Sequence, residues 1–369
     1  MRSAPVGGGC SSGRGGGGGT VVERRIWCTF FGLVLWIATF VRLLRDLFGY
    51  VDDVFSWELA DKLETYEPYG EVYPAKQVAL LKLWDEVGIP HEKHKQLWGF
   101  RLEIIGFDVD TRTMTITMAV TARDEFVRAL LTFAVAGQHR KLKEFQQLAG
   151  WANWAFNVYP LLRPGLCEVY QKMRGKAKPD APIWVNKTVE QQLKWIAGHV
   201  RASDGIVMLD SVEWGLADAD ITLYTDASFA GMGVWVPDMH LGLQCVAKDA
   251  KEKGIFFYEA LSVLSALEHI LTHHGRAFTR VAILCDNSNT VDMFHSLRAQ
   301  PKYNGILTSA TDLLLAHKAQ LRVIHIPGVQ NIVADALSRF DNAAAVAADP
   351  DLTILPFIPP RLTLGAIQL

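Results

Sequence analysis

With 369 residues, half of them hydrophobic and 21% charged, the chain has the make-up of a globular protein of two or three domains with real cores. A formal charge of −2 and a pI near 6.6 exclude a global basic field, so any nucleic-acid role must rest on local residues. The five cysteines (Cys10, Cys28, Cys167, Cys245, Cys285) form no CxxC pair. That excludes a zinc knuckle and a disulfide framework, and it fits a reducing intracellular compartment, cytoplasmic or nuclear.

Residues 1–23 are rich in Gly and Ser (GGGCSSGRGGGGGT) and predict a disordered segment. Ile26 to Val41 is an apolar run flanked by Arg24, Arg25, Arg42 and Arg45. It falls short of the ~20 residues that a spanning helix needs. No small-residue cleavage site follows it. A buried core helix is expected here, and no membrane partner.

The stretch LFGYVDDVFSWE then predicts a hairpin whose turn carries Asp52 and Asp53. Adjacent aspartates between strands serve as a polar turn or, in a second reading, as ligands for a divalent ion in nucleotidyl transfer. Leu80 to Gly88 predicts an amphipathic helix, and Gly99 to Met118 two strands around a turn at Asp110-Thr111. Helices are expected over Asp124 to Gly137 and Lys141 to Tyr159, closed by LLRP at Leu161 to Pro164. Residues 171–182 read as a linker. Its Lys172, Arg174, Lys176 and Lys178 suit a phosphate backbone or plain solvent equally. Ile183 to His199 predicts a helix anchored by Trp184 and Trp195, and residues 200–219 an irregular lead.

The run ITLYTDASFAGMGVW alternates apolar residues into Asp226 and turns through small residues into a second apolar strand. Strands are expected over 221–228, 231–237 and 240–248, followed by a helix at 255–274 and a strand at 280–286. Helices at 288–298 and 307–319, a strand at 321–326 and a final helix at 331–340 complete a mixed α/β sheet. Four acids fall at telling places: Asp226 and Asp286 end strands, Glu259 opens the long helix, and Asp335 lies in the last one. Each has a structural reading of its own. Glu259 suits a helix dipole, Asp286 a helix cap and Asp335 a solvated face. Together, four converging carboxylates repel one another unless divalent cations neutralise them. Oxygen ligands of this kind select Mg²⁺ or Mn²⁺, and two such ions can activate a water against a phosphodiester.

The wording of these segments resembles a known family. TDAS at 225–228, YEALSVLSAL at 258–267, CDN at 285–287 and HIPGVQNIVADALSR at 325–339 are similar to the ribonuclease H motifs of retrotransposons. ADALSR after HxPG is the most specific of them. Tyr50-Val51-Asp52-Asp53 resembles the YxDD motif of reverse transcriptases. Ile105-Gly106 and the strands around it resemble the segments that follow that motif. The whole is most similar to the reverse transcriptase–RNase H portion of gypsy-type or DIRS-type elements, entered partway through the palm.

The resemblance implies an α/β chain. A palm remnant would occupy 24–118, thumb and connection helices 119–170, a linker and helix 171–219, and an RNase H-like mixed-sheet domain 220–340; a flexible tail would fill 341–369. It implies a nuclease cutting RNA in RNA–DNA hybrids, with two Mg²⁺ or Mn²⁺ ions held by Asp226, Glu259, Asp286 and Asp335. His325 would assist proton transfer or product release. Ser228, Gly231, Gly233, Asn287, Ser288 and Asn331 would meet the hybrid. Tyr50, Asp52 and Asp53 would be a polymerase remnant. The third polymerase carboxylate is missing, since Glu23 and Asp46 are not placed to serve, so no DNA synthesis is expected from this chain alone. Other segments of a retroelement polyprotein are the implied partners. The alternative is a non-catalytic remnant that keeps the fold and binds nucleic acid.

Overall fold

The computed structural model describes residues 3–9, 21–51, 53–203, 205–207, 213–273 and 278–362. The chain is mixed α/β and divides into two compact units, residues 1–124 with 204–212, and residues 125–203 with 213–369.

In the first unit, Phe48–Tyr50 and Asp53–Leu59 form the expected hairpin, with Tyr50 opposite Asp53. Asp52 lies outside the described residues. Val51 sits at φ +58°, a costly setting for a β-branched residue, and its carbonyl accepts from Trp27 Nε1 at 3.0 Å. Ser3–Gly9 departs from the disorder that its composition predicts. It is an inner strand, antiparallel to Asp53–Leu59 on one side and Gln96–Trp98 on the other. The two neighbouring strands give its backbone groups ladder partners.

The apolar run is helical over Val21–Trp36 and continues as a π-helix over Ile37–Val41. It is not a fully buried core helix. Phe31, Val34 and Ala38 pack inward with Val54, Leu81 and Trp84. The opposite stripe of Ile26, Phe30, Leu33, Trp36 and Phe40 is exposed. Gly49 lets the helix approach the hairpin, because a Cβ there would stand 2.5 Å from Leu35 Cδ1. Behind it, Asp85 accepts from the buried Tyr66 hydroxyl at 2.5 Å and pairs with His91 at 3.0 Å. Gly99–Met118 makes three strands rather than two (Arg101–Ile104, Phe107–Asp110, Thr115–Met118). The extra turn is at Ile105-Gly106, both with positive φ, as a tight hairpin turn requires.

In the second unit the helices Leu142–Ala155 and Lys187–Ala202 precede the large sheet. The latter starts after Trp184 rather than before it. Asn186 caps it by accepting from Val189 N at 2.9 Å. Trp184 lies in a short strand, Pro182–Trp184, and is exposed. Trp195 does anchor this helix, donating to Asp312 at 2.8 Å.

The sheet has six strands, and its elements are numbered here along the chain. β1 is Ile221–Ala227, β2 Gly231–Val236 and β3 Leu241–Val246. Helix α1 is Ile255–Thr272, β4 Arg280–Cys285, α2 Ser288–Ser296, α3 Pro301–His317 and β5 Gln320–His325. Helix α4 is Ile332–Ser338, α5 Asn342–Ala348 and β6 Thr353–Pro356. The strand order is β5-β4-β1-β2-β3-β6. β1 runs antiparallel to β2, and β2 to β3; β1, β4 and β5 are parallel, as are β3 and β6.

Alternation along β2 sets the two layers. Met232, Val234 and Val236 join the main core with Val263, Leu264, Leu267 and Ile270 of α1. Gly231 and Gly233 face α4, while Leu337, Val333 and Ala345 form a second small core against Trp235.

Helix α5 and strand β6 correct the expectation of a flexible tail over 341–369. Asp341 caps α5 by accepting from Ala344 N at 3.0 Å. The buried carboxylate of Asp349 accepts from Trp235 Nε1 at 2.9 Å and pairs with His240 Nδ1 at 2.7 Å. Burial alone would raise Asp349. The Trp235 and His240 donors outweigh it and hold the carboxyl below its ordinary range. The same bond raises His240. Asp349→Ala therefore loosens residues 341–356, an expected loss of about 2 kcal/mol for a buried acceptor of two hydrogen bonds. Hydrogen exchange of that segment checks it. The His240 contribution is present below the histidine's unfolded pKa and is lost as pH rises through its raised folded value.

Candidate metal centre

Asp226 and Asp286 come together because β1 and β4 are parallel neighbours in a fixed register. Thr225 stands opposite Cys285, so the next residue of each strand emerges at the same sheet edge. Apolar runs, ITLY and VAIL, bury the strands on both faces and fix that register. Glu259 is carried to the edge by the first turns of α1, whose buried stripe lies against β1 and β4. Cys285 Sγ lies 4.0 Å from Glu259 Oε2. One ligand atom each from Glu259, Cys285 and Asp286 falls within 4.8 Å of the other two.

Asp335 arrives from the other face on α4. That helix can lie close only because Gly233 has no side chain. A Cβ there would stand 2.3 Å from Ala334 O and 2.7 Å from Ser338 N. The Asp335 carboxylate receives Arg339 Nε at 2.8 Å and Nη2 at 2.7 Å, both on Oδ1. From the same helix Ser338 donates to Asp226 Oδ2 at 2.6 Å.

The electrostatics follow from burial. Asp226 is 4% exposed and Glu259 5%. Burial pushes Asp226 up to about 6, helped by the charges of Asp286 and Asp335 and opposed by Ser338 and Arg339. Burial pushes Glu259 up to about 9, helped by Asp226 and Asp286 and opposed by a hydrogen bond from the Ala227 amide. The Cys285 thiol is pushed up to about 12 by burial and by the neighbouring Glu259. A protein that holds two carboxylates dry beside other acids gains by taking up a cation. The donor set, carboxylate oxygens on rigid elements, fits a hard divalent ion. Ser338→Ala removes a neutral donor from Asp226. Its carboxyl is then expected to titrate higher still in metal-free protein, as carboxyl-carbon NMR would show.

The remaining predicted residues are placed as follows. His325 ends β5 opposite Cys285 and is exposed at the same sheet edge. Ser288 is exposed at the start of α2. Asn287 caps that helix through Oδ1, accepting from Thr290 N at 3.0 Å. Asn331 is buried and donates to Thr225 O at 2.9 Å, tying the loop before α4 to β1. Ser228 donates to Ser338 O at 2.8 Å and accepts from Gly231 N. Helix α4 covers Gly231 and Gly233, which corrects the expectation that these glycines let a nucleic-acid backbone approach the sheet, and Ser228 bonds to the end of the same helix.

Residues without an expected role also contribute. Ser338 and Arg339 lie in the ADALSR segment, and their spacing from Asp335 was the available signal. Cys285 precedes Asp286 and is the strand residue that faces α1. Gly328, in the loop before α4, would place a Cβ 3.0 Å from Asp286 Oδ2, so that loop too closes on the acids. In the first unit, Tyr50 is exposed beside Val51.

No protein-family model matches the sequence, and no curated protein matches it. Among solved structures the chain is similar to a foamy viral protease-reverse transcriptase in complex with double-stranded DNA. The identity is 11% and the TM-score 0.39, over 88% of this chain and 67% of that one. It is also similar to the same foamy viral protein in complex with an RNA/DNA hybrid, at 11% identity and a TM-score of 0.36 over 88% of this chain and 44% of that one. LC11-RNase H1 in complex with an RNA/DNA hybrid matches at 18% identity and a TM-score of 0.28, over 34% of this chain and 99% of that one.

Proposed function

We propose that the chain is a metal-dependent endoribonuclease of the RNase H type that cuts the RNA strand of RNA–DNA hybrids. One observation carries the reading. Asp226 and Asp286 end neighbouring parallel strands, with Glu259 beside Asp286 and Ser338 of the Asp335 helix bonded to Asp226. Asp226, Glu259, Asp286 and Asp335 would hold two Mg²⁺ or Mn²⁺ ions. Bound there, the ions would supply an activated water and a counter-charge for the leaving 3′ oxygen.

The protein's own contribution is position. Asp226 is buried, and its Oδ2 is fixed by Ser338. Arg339 takes Oδ1 of Asp335 twice, so Oδ2 is the atom offered to a cation. Glu259 is locked by its helix and by burial. His325, exposed at the edge, would pass a proton to the leaving group or to solvent. Ser288 and the Nδ2 of Asn287 would meet the RNA 2′-hydroxyls, the groups that distinguish RNA from DNA.

The reading extends to the first unit as palm-like structure of a retroelement reverse transcriptase, gypsy-type or DIRS-type. The Asp46 carboxylate lies 3.5 Å from Lys76 Nζ and is engaged as an ion pair. DNA synthesis by this chain alone is not part of the proposal. Other polyprotein segments are its proposed partners.

The test is cleavage of an end-labelled RNA–DNA hybrid with Mg²⁺ or Mn²⁺, beside single-stranded RNA and duplex DNA. Hybrid-selective cuts that vanish with chelator support the reading. Hybrid binding with no cleavage in either ion would replace it with the non-catalytic alternative.

A further inference from the structure

The acidic centre contains a sulfur that hydrolysis with Mg²⁺ does not need. Cys285 is fully buried, ends β4, and turns its Sγ to within 4.0 Å of Glu259 Oε2. The Asn287 amide donates to this sulfur at 3.3 Å. Asp286 completes a set of three ligand atoms within 4.8 Å of one another. In a tetrahedral zinc site, Zn–S near 2.3 Å and Zn–O near 2.0 Å put a sulfur and an oxygen about 3.5 Å apart. The thiol and the two carboxylates therefore need to close by no more than about 1.5 Å to meet on one ion.

Building on the reading of this edge as a metal centre, we propose that Cys285, Glu259 and Asp286 form a second binding mode for a thiophilic divalent cation of the Zn²⁺ class, which excludes Mg²⁺ and silences the centre. Ligand softness separates the two modes. Mg²⁺ takes oxygen ligands and keeps several waters, so it leaves the thiol protonated and aside. Zn²⁺ accepts thiolate, imidazole and carboxylate. Its binding releases the thiol proton to solvent as the S–Zn bond forms; no electron is transferred. Glu259 and Asp286, taken up with Cys285 by such an ion, would no longer be available to Mg²⁺.

The experiment uses the full chain and Co²⁺ as the spectroscopic stand-in for Zn²⁺. Wild-type protein is expected to give a thiolate-to-cobalt charge-transfer band that saturates at one equivalent and is bleached by Zn²⁺. Cys285→Ser and Cys285→Ala lose the band, and Zn²⁺ binding by calorimetry weakens by at least about tenfold. Cys245→Ser, outside the cluster, keeps it. Thermal stabilisation by Mg²⁺ persists in both Cys285 variants, which also shows that they fold. If Mg²⁺ stabilises the wild type but Co²⁺ binds it without a sulfur band, or binds wild type and Cys285→Ser equally, this inference is wrong and the metal-centre reading stands. If neither ion binds, both are wrong.

Discussion

Asp226→Asn is expected to abolish hybrid cleavage and, in metal-free protein, to make the fold more stable. The two effects have one cause. As a ligand of the proposed cations, Asp226 would contribute several kcal/mol of transition-state charge stabilisation, so its loss would cost about 10³-fold or more in rate. Without cations the same carboxylate is a liability. Burial lifts it from 3.8 to about 6, and keeping it ionised at neutral pH costs about 3 kcal/mol. An amide keeps the Ser338 hydrogen bond and removes the charge. A gain of about 1–3 kcal/mol, several degrees in melting temperature, is expected by calorimetry with chelator present. With Mg²⁺ the ranking reverses, since wild type gains binding energy that the variant lacks. A variant that melts lower than wild type in chelator would show that Asp226 is there for structure.

The pH dependence has a definite sign. Asp226 and Glu259 both hold their protons more tightly folded than unfolded. The folded state therefore binds more protons, and metal-free stability falls as pH rises. The loss runs from about 4 to about 6 for Asp226 and from 4.5 to about 9 for Glu259. Saturating Mg²⁺ flattens this profile. A metal-free melting temperature that rises between pH 5 and pH 8 would contradict the burial of these acids.

Gly233→Ala is the second large effect, and it reaches the centre from a position that bears no functional group. The added methyl meets backbone atoms, Ala334 O at 2.3 Å and Ser338 N at 2.7 Å, so no rotamer change relieves it. Helix α4 must lift from β2. Overpacking of this kind costs about 1–3 kcal/mol and occasionally more, and the backbone contact puts this site at the upper end. Lifting α4 also withdraws Asp335 and breaks the bond from Ser338 to Asp226. Activity should fall by at least about tenfold, the expected cost of misplacing a positioned group. Gly242→Ala is the control. Its Cβ would meet flexible methyls, those of Leu337 at 3.1 and 3.2 Å and Leu352 Cδ1 at 3.4 Å, and a milder loss is expected.

The parts of the fold that were legible are those where one period held over a whole element. ITLYTDA, VAILC and the stripe of α1 announced β1, β4 and the long helix to within two or three residues, because each is buried against a continuous core. Starts set by single caps were missed. Asn186 and Pro301 mark the true beginnings of their helices, and Trp184 drew the first of them too early. The region after residue 340 misled for a different reason. Its alanines carry little apolar signal, and what holds it is Asp349, bonded to partners more than a hundred residues away. Such contacts leave no local trace. At the centre the strand ends that carry Asp226 and Asp286 were readable, but the roles of the small residues around them were not. Gly233 looked like an opening and is a seat, which only the position of α4 decides.

Strand β6 has a consequence for solubility. Without it, Leu241–Val246 would present a six-residue row of unpaired amides and carbonyls to any passing chain, a template for aggregation. Thr353–Pro356 pairs with that row in parallel and becomes the boundary itself. It is a poor template: four residues long, ending at Pro356 and followed by Pro359 and Pro360, none of which can donate a ladder hydrogen bond. A segment that looked like spacer thus works as a cap that keeps the sheet from growing.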